Sequence, residues 1–144
     1  MRLRFAIGIG CRKGCASANI VVLVRQALAL VSRSDLAIER TDALRESVIF
    51  TSEAKRDEEG LAEAAAILGT KLVCLPRAEL EAAAPRCATR SPRVQELIGL
   101  PSLAEAAALA GAGEDSRLVL ARITESGASC ALAVPTAIAT KGAS

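Results

Sequence analysis

Arg2-Leu3-Arg4-Phe5-Ala6-Ile7-Gly8-Ile9-Gly10-Cys11-Arg12-Lys13-Gly14-Cys15 opens the chain. The apolar run Phe5 to Ile7 predicts a buried strand over residues 2–8. It gives way to three glycines, two cysteines and the pair Arg12-Lys13. Beyond Ser17 the apolar residues Ile20, Leu23, Val24, Ala27, Leu28 and Val31 recur at helical spacing, and Ser17 is placed to cap that helix. A strand, a glycine loop and a helix in that order aim backbone N–H groups and a helix dipole at an anion. The loop from Gly8 to Ala16 is therefore the first place to look for a site.

Working outward, the alternation repeats. Ser47-Val48-Ile49-Phe50-Thr51 reads as a second strand that runs into the charged loop Ser52 to Asp57. Asp57 is expected to cap a helix carrying Leu61, Ala64, Ala65 and Leu68, with Glu58 and Glu59 favourable in its first turn and Gly69 as its stop. Lys71 to Leu75 is a third strand closed by Pro76, and Ala78 to Ala84 form a short helix. Pro85 to Pro92 is rich in Arg, Ser and Thr and is the segment expected to move most. Arg93 to Ile98 reads as one or two helical turns ending at Gly99. Ser102 and Glu105 fit the N-cap and N3 positions of a capping box, opening a helix that ends in Gly111-Ala112-Gly113. Arg117 to Ile123 and Ala128 to Val134 are strands four and five, joined by the hairpin loop Glu125-Ser126-Gly127. Ser34 to Arg45 reads as a polar connection with a short helical turn, and the tail from Pro135 is expected to fray.

This order predicts an α/β fold: three layers, α/β/α, with a mixed, mostly parallel sheet of about five strands ending in a β-hairpin. One domain is expected over residues 1–134, with 135–144 as a tail. Ligands of open α/β sheets bind beyond the carboxyl ends of the strands. The opening loop and the Thr51 to Asp57 loop both lie at such ends.

Composition narrows the function. Apolar residues make up 51% of the 144, many of them alanine, so the core is built of small, closely packed side chains. Histidine is absent, which excludes Ser-His-Asp and Cys-His catalysis and every histidine-ligated metal. Phe5 and Phe50 are the only aromatics, too few for a base-stacking platform, so nucleic acid is not expected as a partner. The net charge of +2 is unevenly placed. Met1 to Ser34 holds Arg2, Arg4, Arg12, Lys13, Arg25 and Arg33 and no acid; Asp35 to Gly60 is rich in acids (Asp35, Glu39, Asp42, Glu46, Glu53, Asp57, Glu58, Glu59). Solvated surfaces account for such runs; the sharper alternative is a positive end at the opening loop that draws an anionic ligand. Five cysteines, an odd number, without a signal-peptide pattern point to a reducing cytoplasm. No membrane span is expected, since Arg25 and Gln26 interrupt the stretch Ile20 to Val31.

Gly8-x-Gly10-x-x-x-Gly14 superficially resembles nucleotide loops but misses both patterns. The dinucleotide pattern needs its third glycine one position earlier, and Lys13 precedes Gly14 rather than following it. What remains is an anion-binding loop formed by Gly8, Gly10, Cys11, Arg12, Lys13 and Gly14; the alternative is that the glycines only permit a tight turn. Cys11 and Cys15 lack further ligands at zinc-site spacing, so no metal is expected. A thiolate there, its pKa lowered by Arg12, Lys13 and a helix N-terminus, stands beside the plainer reading of two core thiols. In the loop Glu53 to Glu59, carboxylates can act as general acid or base, or simply charge a helix entrance. Glu105 is fully explained as the N3 member of its box.

Four segments in order resemble one family. They are Gly8-Ile9-Gly10-Cys11-Arg12-Lys13-Gly14 before a long helix, Lys55-Arg56-Asp57-Glu58-Glu59-Gly60-Leu61, Ser91-Pro92-Arg93-Val94, and Gly99-Leu100-Pro101-Ser102-Leu103-Ala104-Glu105-Ala106-Ala107-Ala108-Leu109. Together they are similar to the cobalamin-biosynthesis CobE proteins and to the C-terminal domain of CbiG, the enzyme that opens the delta-lactone of cobalt-precorrin-5A. The resemblance covers roughly residues 3–134. Arg122 and Cys130-Ala131-Leu132-Ala133 depart from it, standing where the family hairpin usually carries a lysine and a Thr-Val-Ala-Ile-Ala strand. The length resembles that of the stand-alone CobE proteins, which belong to the oxygen-dependent route.

The resemblance implies a cytoplasmic protein of vitamin B12 synthesis that binds a precorrin-type tetrapyrrole in an accessory or carrier role. Precorrins bear many acetate and propionate carboxylates, which suit a glycine loop flanked by Arg12 and Lys13. Lys55, Glu59, Ser102 and Glu105 join the ligand-binding candidates. No cofactor is implied. A precorrin-modifying hydrolase, with Glu58 or Glu59 as general base, is the alternative from another class. A scaffold for pathway methyltransferases is a third, and a homodimer stays open.

Overall fold

The computed structural model describes residues 5–32, 44, 46–90, 92, 96 and 99–135. The expectations for the Ser34 to Arg45 connection, for Ser91-Pro92-Arg93-Val94, for the Arg93 to Ile98 turns and for the tail fall wholly or mainly outside those residues, as do Arg2, Arg4, Arg33, Asp35, Glu39 and Asp42.

Five strands form one sheet. They are β1 (Phe5–Cys11), β2 (Ser47–Ser52), β3 (Lys71–Leu75), β4 (Arg117–Glu125) and β5 (Ala128–Val134), in the order β3-β2-β1-β5-β4. The β1–β2 and β2–β3 pairs are parallel, and the β1–β5 and β4–β5 pairs are antiparallel. The sheet is thus mixed and ends in a hairpin. Between the strands lie α1 (Ser17–Ser32), a 3-10 turn (Glu53–Lys55), α2 (Glu59–Leu68), α3 (Arg77–Ala83), a second 3-10 turn (Ala84–Arg86) and α4 (Leu103–Ala112).

β1 explains the layering. Phe5, Ile7, Ile9 and Cys11 face one side and pack with the stripe of α1 and with Leu61, Ala64, Ala65 and Leu68 of α2. Burying each of the large side chains contributes roughly 1.5–3 kcal/mol. Ala6, Gly8 and Gly10 face the other side, where α4 brings Ala104, Ala106, Ala107 and Ala108 against Ala131 and Ala133 of β5. Small residues on both surfaces let helix and sheet approach closely. A side chain at Gly8 would collide with the Ala104 carbonyl.

That packing corrects the reading of the opening stretch. β1 runs to Cys11, three residues past the expected end. Gly8 and Gly10 are buried strand residues that admit α4, not loop residues. The turn proper is Arg12 to Ala16. Its helix starts one residue earlier than expected too: Ile20 N–H donates to the Ala16 carbonyl at 3.4 Å, so Ser17 lies inside α1 rather than capping it. Likewise Glu58, not Asp57, is the N-cap residue of α2, and its side chain caps nothing in that helix.

Two further expectations change. Glu125 pairs with Ala128, so the hairpin loop is only Ser126-Gly127, both at positive φ (53° and 83°). Within the Pro85 to Pro92 loop, expected to move, residues 86–89 are tied down at several points. The Arg86 guanidinium donates to the Ser116 and Gly113 carbonyls (2.8 and 3.2 Å), Cys87 is buried, and Thr89 bonds to Glu105.

Candidate functional site

The carboxyl ends of β1 and β2 carry the site. The Arg12 to Ala16 turn follows β1, and Glu53 to Glu58 follow β2. The Ser126-Gly127 turn joins them because β5 runs antiparallel to β1, bringing the hairpin to the same edge. Arg12 N–H donates to the Gly127 carbonyl at 2.9 Å and Cys15 N–H to the Arg12 carbonyl at 3.1 Å. Gly14 N–H donates to Glu58 Oε1 at 2.8 Å. Beneath them the buried Thr51 hydroxyl donates to the Ile9 carbonyl at 2.8 Å, one step beyond the last β1–β2 register pair, Gly8 and Phe50. Gly60 packs against the Cys15 carbonyl so closely that a β-carbon there would collide with it, which sets α2 against the turn.

Helix direction adds charge to this edge. α1 and α2 both begin here. α4 does as well, since Leu103 lies over Gly10 while Ala104 and Ala108 lie over Gly8, so that helix starts near the carboxyl end of β1 and runs back along it. Helix N-termini carry a partial positive charge. Arg12, Lys13 and Arg56 are exposed and Lys55 is half-buried. Among the described residues none of the four makes a salt bridge; the ion pair found there is Arg77–Glu81, on α3. The sequence reading passed over Arg56, although it adjoins Lys55. It had no means of finding Gly127, which reaches the site through a pairing more than a hundred residues long.

Not every candidate is in reach. Ser102 and Glu105 are fully buried. The Ser102 hydroxyl accepts the Glu105 N–H at 3.2 Å, the expected half of the capping box. The Glu105 carboxylate turns elsewhere, accepting the Thr89 N–H (2.8 Å), the Thr89 hydroxyl (2.6 Å) and the Arg122 N–H (2.8 Å). Both residues are committed to holding the fold. Of the proposed bases, Glu58 is engaged with Gly14, and Glu59 is exposed at the first position of α2.

The thiolate reading reverses sign. Burial pushes the Cys11 thiol up to about 11; nearby Lys55 pulls the other way, and Cys15 and Glu58 add to the rise. Cys15 is also pushed up, by burial and by Glu58. Its sulfur sits 3.8 Å from the Ser126 carbonyl, a thiol contact rather than a nucleophile's setting. No group of three or more His, Cys, Asp or Glu suited to a metal occurs among the described residues, and no helix there is long and apolar enough to cross a membrane.

The family model described as Cobalamin synthesis G C-terminus matches residues 5–133, from the first residue of β1 to the last but one of β5. The chain belongs to the CbiG C-terminal family. Protein CobE of Sinorhizobium sp is 31% identical over 129 residues, covering 90% of this chain and 79% of that protein. The crystal structure of CobE, a protein from the cobalamin (vitamin B12) biosynthetic pathway, superposes with a TM-score of 0.77 at 33% identity, over 92% of this chain and 91% of that one. Cobalamin biosynthesis protein chiG from Agrobacterium tumefaciens gives 0.65 at 36% identity, over 90% and 97%. This member of the CbiG C-terminal family is a cobalamin biosynthesis protein, and the matched region contains the whole carboxyl edge just described.

Proposed function

We propose that the chain binds a precorrin-type tetrapyrrole through its peripheral carboxylates, in an accessory or carrier role. The observation that supports this is the set of cations Arg12, Lys13, Lys55 and Arg56 on the turns that follow β1 and β2. These cations come from two loops at one sheet edge and are not neutralised by a salt bridge among the described residues. Guanidinium and ammonium groups bind carboxylates by short, charge-assisted hydrogen bonds, and Arg does so with two parallel donors. Several such groups on one surface match several carboxylates on the rim of one macrocycle.

Titration with hydrogenobyrinic acid, read by its ring absorbance, tests the reading. Arg12→Ala and Lys13→Ala are each expected to weaken Kd by about tenfold, the worth of one charge-assisted bond of about 1.4 kcal/mol. Equal affinity in both variants, or no binding by the native chain at high micromolar probe, overturns it. Turnover of a lactone substrate that is lost in Glu59→Gln would replace carriage with hydrolysis.

A further inference from the structure

The anion that the opening turn binds in the free protein is its own. We propose that the Glu58 carboxylate is a built-in competitor at the tetrapyrrole site, holding the Gly14 amide that a ligand carboxylate takes over on binding. The inference rests on the binding reading above and specifies how that site is regulated.

Glu58 occupies the N-cap of α2 but does not cap it; its carboxylate reaches 44 positions back to Gly14 at 2.8 Å. The turn does not need this bond for its shape. The Arg12 N–H is held by the Gly127 carbonyl, the Cys15 N–H by the Arg12 carbonyl, and the α2 backbone at Gly60 packs against the Cys15 carbonyl. The contact is exposed, so water competes for it and its net worth is small. Gly14 is exposed and sits at φ +77°, with open space where a β-carbon would stand. The Glu58 carboxylate makes no salt bridge with Arg12, Lys13, Lys55 or Arg56, so those cations are not committed to it.

Release costs little reorganisation. The Glu58 backbone is held by its N–H to the Lys55 carbonyl (3.0 Å), and its carbonyl accepts from Leu61 (3.1 Å). Only the side chain has to turn, a rotamer change on the picosecond-to-nanosecond scale at exposed positions. A ligand carboxylate then takes the same N–H, with basic groups beside it that Glu58 does not use. Affinity is lowered by the exchange, and release of the cargo is eased by the returning carboxylate.

The experiment compares hydrogenobyrinic acid binding in the native chain, Glu58→Ala, Glu58→Met and Asp57→Asn. Asp57→Asn removes one negative charge from the same loop without touching Gly14, so it measures the general electrostatic gain. Glu58→Ala is expected to bind about fivefold tighter than native, and Asp57→Asn less than about twofold tighter. The Gly14 amide resonance of free Glu58→Ala is expected to shift upfield from its native position and to move back as the probe is added. Glu58→Ala no tighter than Asp57→Asn, weaker binding, or a Gly14 resonance unmoved by the probe overturns the inference and makes the bond a brace. Should Glu58→Ala prove unfolded by circular dichroism, Glu58→Met, which has no oxygen to accept the Gly14 N–H, carries the comparison with the same criteria. Native binding that is weakened by Arg12→Ala but not strengthened at Glu58 leaves the binding reading standing alone. No binding in any form removes both.

Discussion

At the scale of single residues, Glu105 shows how far a local pattern reaches. The spacing Ser102-x-x-Glu105 predicts a capping box, and the hydroxyl half forms as expected. The carboxylate half does not, because a stronger offer exists: the Thr89 N–H and hydroxyl and the Arg122 N–H. Those partners lie 16 and 17 positions away on other elements, beyond any periodicity. Glu105→Ala is expected to destabilise the fold by about 3 kcal/mol or more, since it leaves two backbone N–H groups without their acceptor, each costing roughly 1–3 kcal/mol. Urea unfolding monitored by circular dichroism checks it. Gly8 teaches the same lesson in steric form. It looks like a loop glycine in sequence, and only the arrival of α4 above it reveals that the missing side chain is for packing.

At the scale of elements, β4 and its hairpin carry the clearest lesson. The sequence marks the turn well, because Ser126-Gly127 separates two apolar runs. Ser126 nevertheless sits at φ 53°, a conformation that L-residues other than Asn and Asp adopt at a cost. Ser126→Asn is therefore expected to stabilise the protein by about 0.5 kcal/mol, read as a rise in thermal midpoint. Along β4 the register with β5 slips between Leu118 and Leu120 and again between Leu120 and Ile123. Bulges of this kind twist an edge strand away from further pairing. The second slip takes in Arg122, whose N–H goes to Glu105. Neither slip is visible in Leu118-Val119-Leu120, which has no alternation to break.

At the scale of the whole molecule, five cysteines report on the core. Cys11, Cys87 and Cys130 are buried, whereas Cys15 and Cys74 are partly accessible. A thiol-exchange reagent at neutral pH is expected to modify Cys15 and Cys74 first and the other three only on unfolding. Burial pushes Cys130 to about 12, and Cys11 and Cys87 to about 11, from an ordinary 9.0. These thiols keep their protons longer folded than unfolded, so the native state binds more protons above pH 9.0. Their contribution to stability is fully present below that pH and is lost as pH climbs toward 11 and 12. The loss is up to about 1.4 kcal/mol per pH unit for each titrating thiol. Urea midpoints at about pH 8 and about pH 10.5 should show the decline, and Cys130→Ala should make it shallower. Unchanged midpoints would show that the core thiols ionise freely.

The sequence by itself determined the element order, the helix and strand faces, the hairpin and the family. Those features depend on local periodicity, on residues such as Gly69 and Ser102 that end or begin helices, and on short motifs in fixed order. It also located the opening loop and the Thr51 to Asp57 loop at the carboxyl ends of strands. Tertiary structure decided what each residue there does. It drew Gly8 and Gly10 into the core, buried Ser102 and Glu105, raised the Cys11 and Cys15 thiols and brought Gly127 to the turn. It also placed Glu58 on the Gly14 amide. The physical reason is common to all of them. Burial, close approach and hydrogen-bond partnership depend on atoms distant along the chain, and the packing of α4 and β5 against β1 supplies most of them.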